Sequence, residues 1–427
     1  MTVGFATFGC KVNQYDTQVM REAFVARGYG VRGFDEPCDV YVVNTCTVTG
    51  TGAQKSLKAV RQAARRNPGA AVVVAGCLSQ QQGAELLGMS GVRLVLGTAR
   101  RSDAAWLLED ALERNVSVCA VESLSERAFD EETVTAHDGK TRAVLKIQDG
   151  CENRCSYCVI PDVRGPVRSR ELSAVRAEAE RLAASGYREI VLTGIHLCSY
   201  GRDLRGVDLL DAAQVVCQVQ GVARVRLGSL EPSFIGESEA MRFAAMDKLC
   251  GQFHLSLQSG SDRILAAMRR RYTTGDFRAA AEHLRRAMPG CALTTDVITG
   301  FPGEDNAAFG ETVAFVREIG FSHVHVFPYS EREGTGAALL PGSVPIAERR
   351  ERANRLIAIA KELEDDFLRK QIGLVREVLL EEEEEGFTRE YLPVRVAHGR
   401  AGEIAKVRIV GMENGQLTGE WIEEEGS

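Results

Sequence analysis

The chain alternates short apolar runs with helical stretches, and this alternation restricts its fold more than any other feature. Near the N-terminus, three β-branched runs each end at a small residue followed by cysteine: VGFATFGC, CDVYVVNTC and AAVVVAGC. Helical stretches over about Gln14–Arg27 and Gly52–Arg66 lie between them, and the second ends at the stop signal NPG. Strands that alternate with helices predict a parallel sheet, so we expect an open parallel-sheet domain over residues 1–122.

The alternation resumes after a polar, acidic stretch without periodicity, residues 123–140, which we interpret as a linker. Six further strands are expected, in the runs AVLKIQDG, REIVLTGIH, VARVRLGSL, FHLSLQSG, LTTDVITG and SHVHVFPYS. Six strand–helix units fall short of the eight that close a TIM barrel, so they predict a partial, open (β/α)6 barrel. An amphipathic helix that begins at Pro345 ends this domain, residues 141–370.

The last segment, residues 371–427, changes to short strands separated by turn residues: LVREVLLE, FTREYLPVRVA, IAKVRIVGM and QLTGEWIE. This pattern predicts a small all-β module that resembles an OB-type barrel. The fold class expected is therefore α/β, with a parallel-sheet domain, a partial (β/α)6 barrel and a C-terminal β-barrel.

The composition contains two opposing indications. The chain has 427 residues, no apolar run of the ~20 residues that cross a bilayer and no basic segment ahead of an apolar stretch, so we expect a cytoplasmic protein. Its 12 cysteines are many for a reducing compartment, where they indicate metal or redox chemistry. The net charge of −7 argues against a nucleic-acid partner.

The segment GCENRCSYC places Cys151, Cys155 and Cys158 within eight residues as CxxxCxxC. Thiolates are soft ligands that select zinc or iron–sulfur clusters. Three ligands leave one position open, as catalytic metal sites do. The alternatives are three buried cysteines, or a zinc knuckle that lacks its fourth ligand.

A second set, Cys10, Cys46 and Cys77, is dispersed in the sequence, but each follows a predicted parallel strand. The carboxyl ends of parallel strands lie along one edge of a sheet, where ligands bind, so the three could converge on a second three-ligand cluster. The alternative is three small core residues. Cys198 is ambiguous, and the remaining cysteines are expected to pack in the core: Cys38, Cys119, Cys217, Cys250 and Cys291.

The CxxxCxxC loop, with Tyr157 before its last cysteine, resembles the cluster loop of radical S-adenosylmethionine enzymes. The wider pattern is similar to the methylthiotransferases over nearly the whole chain: FGCKVNQYDT, NTCTV, AGCL, LTGIHLCSYG, SLEP, HLSLQSGSD, TTDVITGFPGE and HVFPYSEREGT. Within that family, KVNQYDT and LTGIH most resemble the threonylcarbamoyladenosine tRNA enzymes. Enzymes for isopentenyladenosine tRNA or for a ribosomal-protein aspartate usually carry other residues after the first cysteine.

The resemblance implies two [4Fe–4S] clusters and S-adenosylmethionine as cofactors. Cys151, Cys155 and Cys158 would hold the catalytic cluster, whose open iron binds S-adenosylmethionine, and Cys10, Cys46 and Cys77 would hold an auxiliary cluster. Reductive cleavage of S-adenosylmethionine gives a radical that can remove the unactivated hydrogen at adenine C2. A methylated sulfur on the auxiliary cluster is then inserted, its methyl group coming from a second S-adenosylmethionine.

Residues at the ends of the barrel strands are expected to line the S-adenosylmethionine site. Gly194 would let a backbone approach the methionine moiety closely, and Glu231 could accept from an ammonium or ribose hydroxyl. Ser256 and Gln258, two apart on one strand, are expected to face the same side. The set expected to bind this cofactor is Tyr157, Gly194, Glu231, Ser256, Gln258, Ile298 and Gly300.

The family also implies a tRNA anticodon stem-loop as partner, an electron donor such as flavodoxin or ferredoxin, and a C-terminal TRAM domain that binds RNA. Arg164, Arg168 and Arg170 directly follow the cluster loop and are expected to contact RNA phosphates. Arg395 and Arg408 are expected to do the same from the β module. The acidic runs Glu381–Glu385 and Glu423–Glu425 are expected to point away from RNA, since they would repel phosphate.

The leading hypothesis is a monomeric methylthiotransferase for threonylcarbamoyladenosine at position 37 of tRNA. Action on isopentenyladenosine tRNA, or on a ribosomal-protein aspartate, is the alternative within the family. From another class, the chain could be a non-catalytic RNA-binding iron–sulfur protein or an electron carrier. Production of 5′-deoxyadenosine would separate an enzyme from these.

Overall fold

The structure, a computed structural model, describes residues 1–125, 128–137 and 139–422. It confirms the expected fold class: a parallel sheet, a partial α/β barrel and a closed β-barrel follow one another. Of the acidic runs, Glu423–Glu425 lies outside the described residues. Among the helices of the described ranges, none is long and apolar enough to cross a membrane.

The N-terminal part is a six-stranded parallel sheet with strand order β2-β1-β3-β4-β5-β6. Its elements are β1 (Thr2–Thr7), α1 (Lys11–Ala26), β2 (Gly30–Arg32), β3 (Val40–Thr45), α2 (Gly50–Arg66), β4 (Ala71–Gly76), α3 (Cys77–Gln82), β5 (Val92–Leu96), α4 (Ala104–Glu113) and β6 (Val118–Ala120). The first two helices begin earlier than the sequence suggested, α1 directly after Cys10 and α2 two residues before Gly52.

Strands β3 and β4 are buried along their whole length because helices cover both faces of the sheet. On one face Phe24 of α1 and Leu108 of α4 pack against the strands, and on the other Val60 of α2 does so. Burial on both faces explains the continuous β-branched runs in the sequence. Because β1, β3 and β4 are neighbours in the sheet, the loops that follow them share one edge.

The central part contains the six expected strands in two three-stranded parallel sheets, β7-β10-β11 and β12-β13-β14. The two sheets are joined by isolated parallel bridges, such as Leu230 to Leu255, into one open barrel wall. The elements are β7 (Arg142–Lys146), β8 (Gln148–Asp149), α5 (Ile160–Arg164), β9 (Arg168–Ser169), α6 (Leu172–Ala184), β10 (Glu189–Thr193), α7 (Leu209–Cys217), β11 (Arg224–Leu227), α8 (Glu237–Ala244), β12 (Gln252–His254), α9 (Asp262–Ala267), α10 (Thr274–Ala287), β13 (Ala292–Thr299), α11 (Asn306–Ile319), β14 (His323–Pro328) and α12 (Ile346–Arg369).

The C-terminal part closes into a five-stranded barrel in the order β15-β16-β17-β19-β18. Its strands are β15 (Val375–Leu380), β16 (Glu385–Thr388), β17 (Pro393–Val396), β18 (Ile404–Glu413) and β19 (Gln416–Trp421). The barrel docks on the N-terminal ends of the central strands: Arg224 pairs with Glu377 at 2.8 Å, and the guanidinium of Arg142 stacks over the ring of Tyr391. This contact holds the β-barrel against the N-terminal ends of the central strands.

The stretch interpreted as a linker has no helix or strand among its described residues, 123–125, 128–137 and 139–140, but it is packed against both flanking domains. Val134 is fully buried, and its N–H donates to Glu178 of α6 at 3.2 Å. The hydroxyl of Tyr15 in α1 donates to the carbonyl of Glu132 at 2.8 Å. The segment therefore fixes the N-terminal sheet against the central barrel.

Candidate active site

Three thiols lie at the carboxyl ends of three adjacent strands of the N-terminal sheet. Cys10 caps the start of α1 after β1, Cys46 follows β3, and Cys77 is the first residue of α3 after β4. Gly9 has a φ of +103°, and a β-carbon there would lie 3.0 Å from the sulfur of Cys46, so the turn before Cys10 requires glycine. The structure thus brings Cys10, Cys46 and Cys77 to one edge, and their role as cluster ligands stays a prediction.

The second set of thiols lies on the loop between β8 and α5. The carbonyl of Cys155 accepts from the N–H of Cys158 at 3.1 Å, and the N–H of Ile160 donates to the sulfur of Cys158 at 3.4 Å. Ser156 anchors the loop, since its N–H donates to the carbonyl of Met268 at 3.0 Å. Burial raises the pKa of the Cys151 thiol to about 11 and that of Cys158 to about 12, so binding iron must displace these protons.

Each set of thiols has one buried guanidinium that donates to one of its sulfurs. Nε of Arg164 lies 3.4 Å from the sulfur of Cys77, and Nη1 of Arg270 lies 3.1 Å from the sulfur of Cys155. Hydrogen bonds to sulfur are one way in which proteins adjust the reduction potentials of iron–sulfur clusters. The arrangement supplies positive charge where cluster-bound thiolates would place negative charge.

The spacing of the thiols also fits a group larger than one ion. Among the described residues, the one trio of ligand atoms lying all within 4.8 Å of one another belongs to His254, Asp296 and His325. The two cysteine sets are therefore spread more widely than four thiolates around one zinc, which bonds of about 2.3 Å hold ~3.8 Å apart. Both donor sets suit iron–sulfur clusters.

Glu231 lies beside the second cysteine set, bound by three donors. Its Oε1 accepts from Asn153 at 3.0 Å and from Arg270 at 2.8 Å, while its Oε2 lies 3.0 Å from Nε2 of His196. Burial opposes its ionisation, but the hydrogen bonds and charges of these neighbours lower the pKa of Glu231 to about 2. Cys198, ambiguous in the sequence, is buried, and its sulfur accepts from the N–H of Glu231 at 3.2 Å.

A carboxylate whose pKa falls on folding stabilises the native state above its unfolded pKa and loses that contribution as pH falls through its folded pKa. For Glu231 this window runs from the ordinary value of 4.5 down to about 2. We therefore expect the wild-type apoprotein to lose up to about 3 kcal/mol more stability across this window than Glu231→Gln. Urea unfolding at pH 5, 4 and 3 measures the difference, and parallel losses in the two proteins would contradict it.

An apolar cluster lies beside the cysteine loop. The ring of Tyr157 meets that of Phe301 edge-on at 6.4 Å, and Ile298 packs in the same cluster. Tyr157 and Ile298 thus lie together, as residues lining one binding surface would.

The two glycines expected to approach the cofactor have other neighbours. A β-carbon on Gly194 would lie 2.7 Å from the side-chain oxygen of Gln148, and one on Gly300 would lie 2.3 Å from Cγ of Arg349. The N–H of Gly300 donates to Glu304 at 2.7 Å. Protein atoms fill the space beside both glycines, which is a packing reason for glycine at each position, and their contact with the cofactor stays a prediction.

Ser256 and Gln258 lie beyond strand β12, which ends at His254. Both are half-buried, whereas Leu255 and Leu257, which precede them, are buried in the core, so the alternation expected for the two residues continues past the strand. Their role in binding the cofactor stays a prediction.

The arginines expected at the RNA surface beside the loop are internal, which corrects that prediction. Arg164, Arg168 and Arg170 are at most 5% exposed. Arg170 pairs with the buried Glu178, and Arg168 lies 3.8 Å from the carboxylate of Asp149. A guanidinium enclosed by carboxylates cannot reach a phosphate.

In the C-terminal barrel, Arg395 and Arg408 are exposed as expected, but Arg395 is paired with Glu385 at 2.7 Å. Glu381, at the other end of that acidic run, pairs with Arg142 of the central barrel. The run therefore has protein partners at both ends. Of the cysteines expected in the core, Cys119 is exposed and the other four are buried.

Arg270, the middle residue of an arginine run, had no separate signal in the sequence. Its neighbours Arg269 and Arg271 are exposed, while Arg270 turns inward to Cys155 and Glu231. Arg269 has a φ of +57°, and this left-handed conformation accompanies the inward direction of Arg270 between two exposed neighbours. No periodicity in the sequence could have revealed it.

Comparisons with known proteins agree with this architecture. The family described as "Uncharacterized protein family UPF0004" matches residues 2–97, and the Radical SAM superfamily matches residues 145–316. The chain is 40% identical over 422 residues to the threonylcarbamoyladenosine tRNA methylthiotransferase MtaB of Bacillus subtilis, covering 96% of this chain and 94% of that protein. The enzyme of the same name from Aquifex aeolicus is 36% identical over 414 residues, covering 96% of this chain and 100% of that protein.

A protein with a different named substrate also matches. The tRNA-2-methylthio-N(6)-dimethylallyladenosine synthase of a Sulfurihydrogenibium species is 34% identical over 381 residues, covering 88% of this chain and 87% of that protein. Among solved structures, the radical S-adenosylmethionine methyltransferase TsrM of Kitasatospora setae aligns with a TM-score of 0.55 at 16% identity, covering 76% of this chain and 72% of that chain. At this identity the likeness concerns the fold alone.

Proposed function

Since the chain belongs to the tRNA methylthiotransferases of the radical S-adenosylmethionine superfamily, we propose that it converts N6-threonylcarbamoyladenosine at position 37 of tRNA to its 2-methylthio derivative. The observation that carries the proposal is the pair of three-thiol sites, each with a buried arginine donating to a sulfur. One site suits radical generation, and the other suits sulfur delivery. The relatives of highest identity named above carry this substrate in their names.

In this proposal Cys151, Cys155 and Cys158 would hold the catalytic [4Fe–4S] cluster, which would supply the electron for cleavage of S-adenosylmethionine. The auxiliary [4Fe–4S] cluster is held by Cys10, Cys46 and Cys77. Together, the clusters and two molecules of S-adenosylmethionine supply a carbon-centred radical, a sulfur atom and a methyl group. A radical is needed because no side-chain base can deprotonate the C2–H bond of adenine.

The protein residues around the thiols have supporting tasks. Arg270 and Glu231 fix each other beside the catalytic loop, and the ionised Glu231 carboxylate would accept from a ribose hydroxyl of S-adenosylmethionine. Tyr157 and Ile298 offer an apolar surface for the adenine of that cofactor. Exposed Arg269 and Arg271, with Arg408 on the β-barrel, replace the buried arginines as candidates for RNA phosphates.

The remaining parts of the proposal concern organisation and partners. Residues 1–122 form the auxiliary-cluster domain, 123–140 the connecting segment, 141–370 the radical domain and 371–427 the TRAM domain. The protein acts as a cytoplasmic monomer on the anticodon stem-loop and receives electrons from a flavodoxin- or ferredoxin-like donor.

The proposal is tested by mass spectrometry of tRNA nucleosides from strains with and without the gene. We expect the deletion to remove 2-methylthio-N6-threonylcarbamoyladenosine and to leave its unmethylthiolated precursor in its place. Loss of the 2-methylthio derivative of isopentenyladenosine, or of a methylthiolated ribosomal-protein aspartate, would assign the substrate elsewhere in the family. Anaerobic reconstitution that yields no 5′-deoxyadenosine, with iron verified in both sites, would leave an RNA-binding or electron-carrying protein.

A further inference from the structure

A cavity of about 470 Å³ lies where the three parts of the molecule meet. The inner face of the central barrel forms one wall, and Lys11 at the start of α1 reaches it from the N-terminal sheet. A loop of the C-terminal barrel that includes Glu390 and Tyr391 forms another wall. The volume is within the ~300–1,000 Å³ typical of small-molecule sites.

Residues that line the cavity are close in sequence to residues of the candidate active site. Lys11 directly follows Cys10, and Asp296 on the cavity wall lies two residues before Ile298 on the same strand. Ser229, also on the wall, lies two residues before Glu231. The cavity wall is therefore within one or two residues, along the chain, of three positions in the candidate active site.

Each carboxylate named among the cavity lining already has a side-chain partner. Asp296 lies 3.3 Å from Nε2 of His254. Glu364 pairs with Lys361 at 3.2 Å, and Glu390 lies 3.9 Å from Arg376. None of the three pairs with Lys11.

Lys11 also lines the cavity, and it has no ion-pair partner among the described residues. Among residues 1–125, 128–137 and 139–422, no carboxylate lies within ion-pair distance of its ammonium. Arg226, which lines the same cavity, and Arg142, which lines the adjoining one, act on Lys11 with like charge, and Glu189 acts on it with opposite charge. Arg226 is itself paired with Glu189 at 2.7 Å, so Lys11 is the ammonium at this wall that an anionic ligand could pair with.

We propose that this cavity binds the acidic substituent on N6 of the substrate adenine, with the Lys11 ammonium pairing with its carboxylate. The inference rests on the proposed function, because it takes the N6-threonylcarbamoyl group as the ligand. That group bears a carboxylate and a hydroxyl. Oε2 of Glu390 has no hydrogen-bond partner among the described residues and accepts from the hydroxyl.

Lys11 is thus a specificity-determining residue, distinct from the cysteine beside it. A neutral N6 substituent would leave its ammonium without an ion-pair partner. Sites built for a charged or hydrogen-bonding group discriminate strongly against analogues that lack it, because their own polar groups are left without partners.

The test uses the reconstituted holoenzyme and two anticodon stem-loop RNAs, one with N6-threonylcarbamoyladenosine and one with the threonine carboxylate converted to the primary amide. Equilibrium binding without S-adenosylmethionine, and KM and kcat with it, are measured for wild type, Lys11→Met and Lys11→Arg. We expect wild type to bind the acid about 10- to 100-fold more tightly than the amide. Lys11→Met should bind both RNAs equally, and Lys11→Arg should recover part of the preference.

Lys140→Met is the matched control, because Lys140 lines the adjoining cavity and not the proposed one. This variant should prefer the acid RNA over the amide RNA to the same extent as wild type. Iron content and 5′-deoxyadenosine formation without RNA report whether Lys11→Met disturbs the cluster at Cys10. The inference would be overturned if Lys11→Met kept the wild-type preference for the acid RNA over the amide RNA. It would also be overturned if wild type bound the two RNAs with nearly equal affinity. Binding lost on chelation and restored by zinc would also overturn it, assigning the carboxylate to a metal on His254, Asp296 and His325.

Failure of this inference can be distinguished from failure of the proposed function. If wild type methylthiolates the acid RNA but Lys11→Met keeps the preference, the inference alone fails. If wild type does not methylthiolate the acid RNA, the proposed function fails.

Discussion

Replacing Cys10, Cys46 and Cys77 together by alanine is expected to abolish methylthiolation while reductive cleavage of S-adenosylmethionine continues. These thiols lie at the edge of the N-terminal sheet, whereas Cys151, Cys155 and Cys158 lie on a separate loop of the central barrel. Each set should therefore load iron on its own. We expect the triple variant to retain about half of the iron of wild type and to keep forming 5′-deoxyadenosine, measured by iron analysis and liquid chromatography.

The reciprocal variant separates the two sites. Alanine at Cys151, Cys155 and Cys158 should also halve the iron content, but 5′-deoxyadenosine should fall to background. Cys119→Ala is the control for cysteine loss as such, because this thiol is exposed and belongs to neither set. If the first triple variant stopped cleaving S-adenosylmethionine while half of its iron remained, the division of labour between the sites would be wrong.

The second large effect is expected at Arg164, which links the two cysteine regions. Its guanidinium donates to Asn13 at 2.6 Å, Asp16 at 3.0 Å and Asp149 at 3.2 Å, besides the sulfur of Cys77. The side chain is fully buried. Removing one partner from a buried, hydrogen-bonded ion network leaves the other charges uncompensated, which costs about 3–5 kcal/mol.

We expect Arg164→Ala to lower the free energy of unfolding of the apoprotein by about 3 kcal/mol. This value is at the lower end of the range because Asp16 keeps Arg101 and Lys146 as partners. Arg164→Lys keeps the charge but cannot bridge four groups, so its loss should be intermediate. Urea unfolding measures both variants. The reconstituted Arg164→Ala protein should also lose iron preferentially from the site containing Cys77.

Arg154 provides the matched control in the same loop. It pairs with Asp162 at 2.9 Å, but its side chain is 70% exposed, so Arg154→Ala should change stability by less than about 1 kcal/mol. Equal effects of Arg154→Ala and Arg164→Ala on unfolding would show that the buried network contributes nothing beyond a surface pair.

The fold could be predicted because its signals are local. Period-two and continuous apolar runs identified the strands, and the order of strands and helices selected parallel sheets. Element ends were less certain: α1 begins at Lys11 and not at Gln14, because the turn at Gly9 and Cys10 starts the helix at once. The strand expected through Ser256 and Gln258 ends at His254, beyond which Leu255 and Gln258 form only single parallel bridges, to Leu230 and Val297.

The candidate site could be predicted only for residue types that have few roles in such a chain. Cysteines in a CxxxCxxC loop and at strand ends have few alternative uses in such a chain, so their positions indicated the two sites. Arginine has many uses. The sequence placed Arg164, Arg168 and Arg170 near the active site but assigned them to RNA, whereas each is buried among carboxylates.

By itself, therefore, the sequence determined the three-part α/β architecture and the six cysteines, since periodicity and thiol chemistry can be recognised without knowing distant neighbours. Only the tertiary structure decided what the charged residues do. Arg164 meets Asp16 across 148 residues of sequence, and Lys11 faces a cavity shared by all three parts of the chain. The physical reason is that the environment of a charge is set by whatever the fold packs against it, and those partners are scattered along the chain.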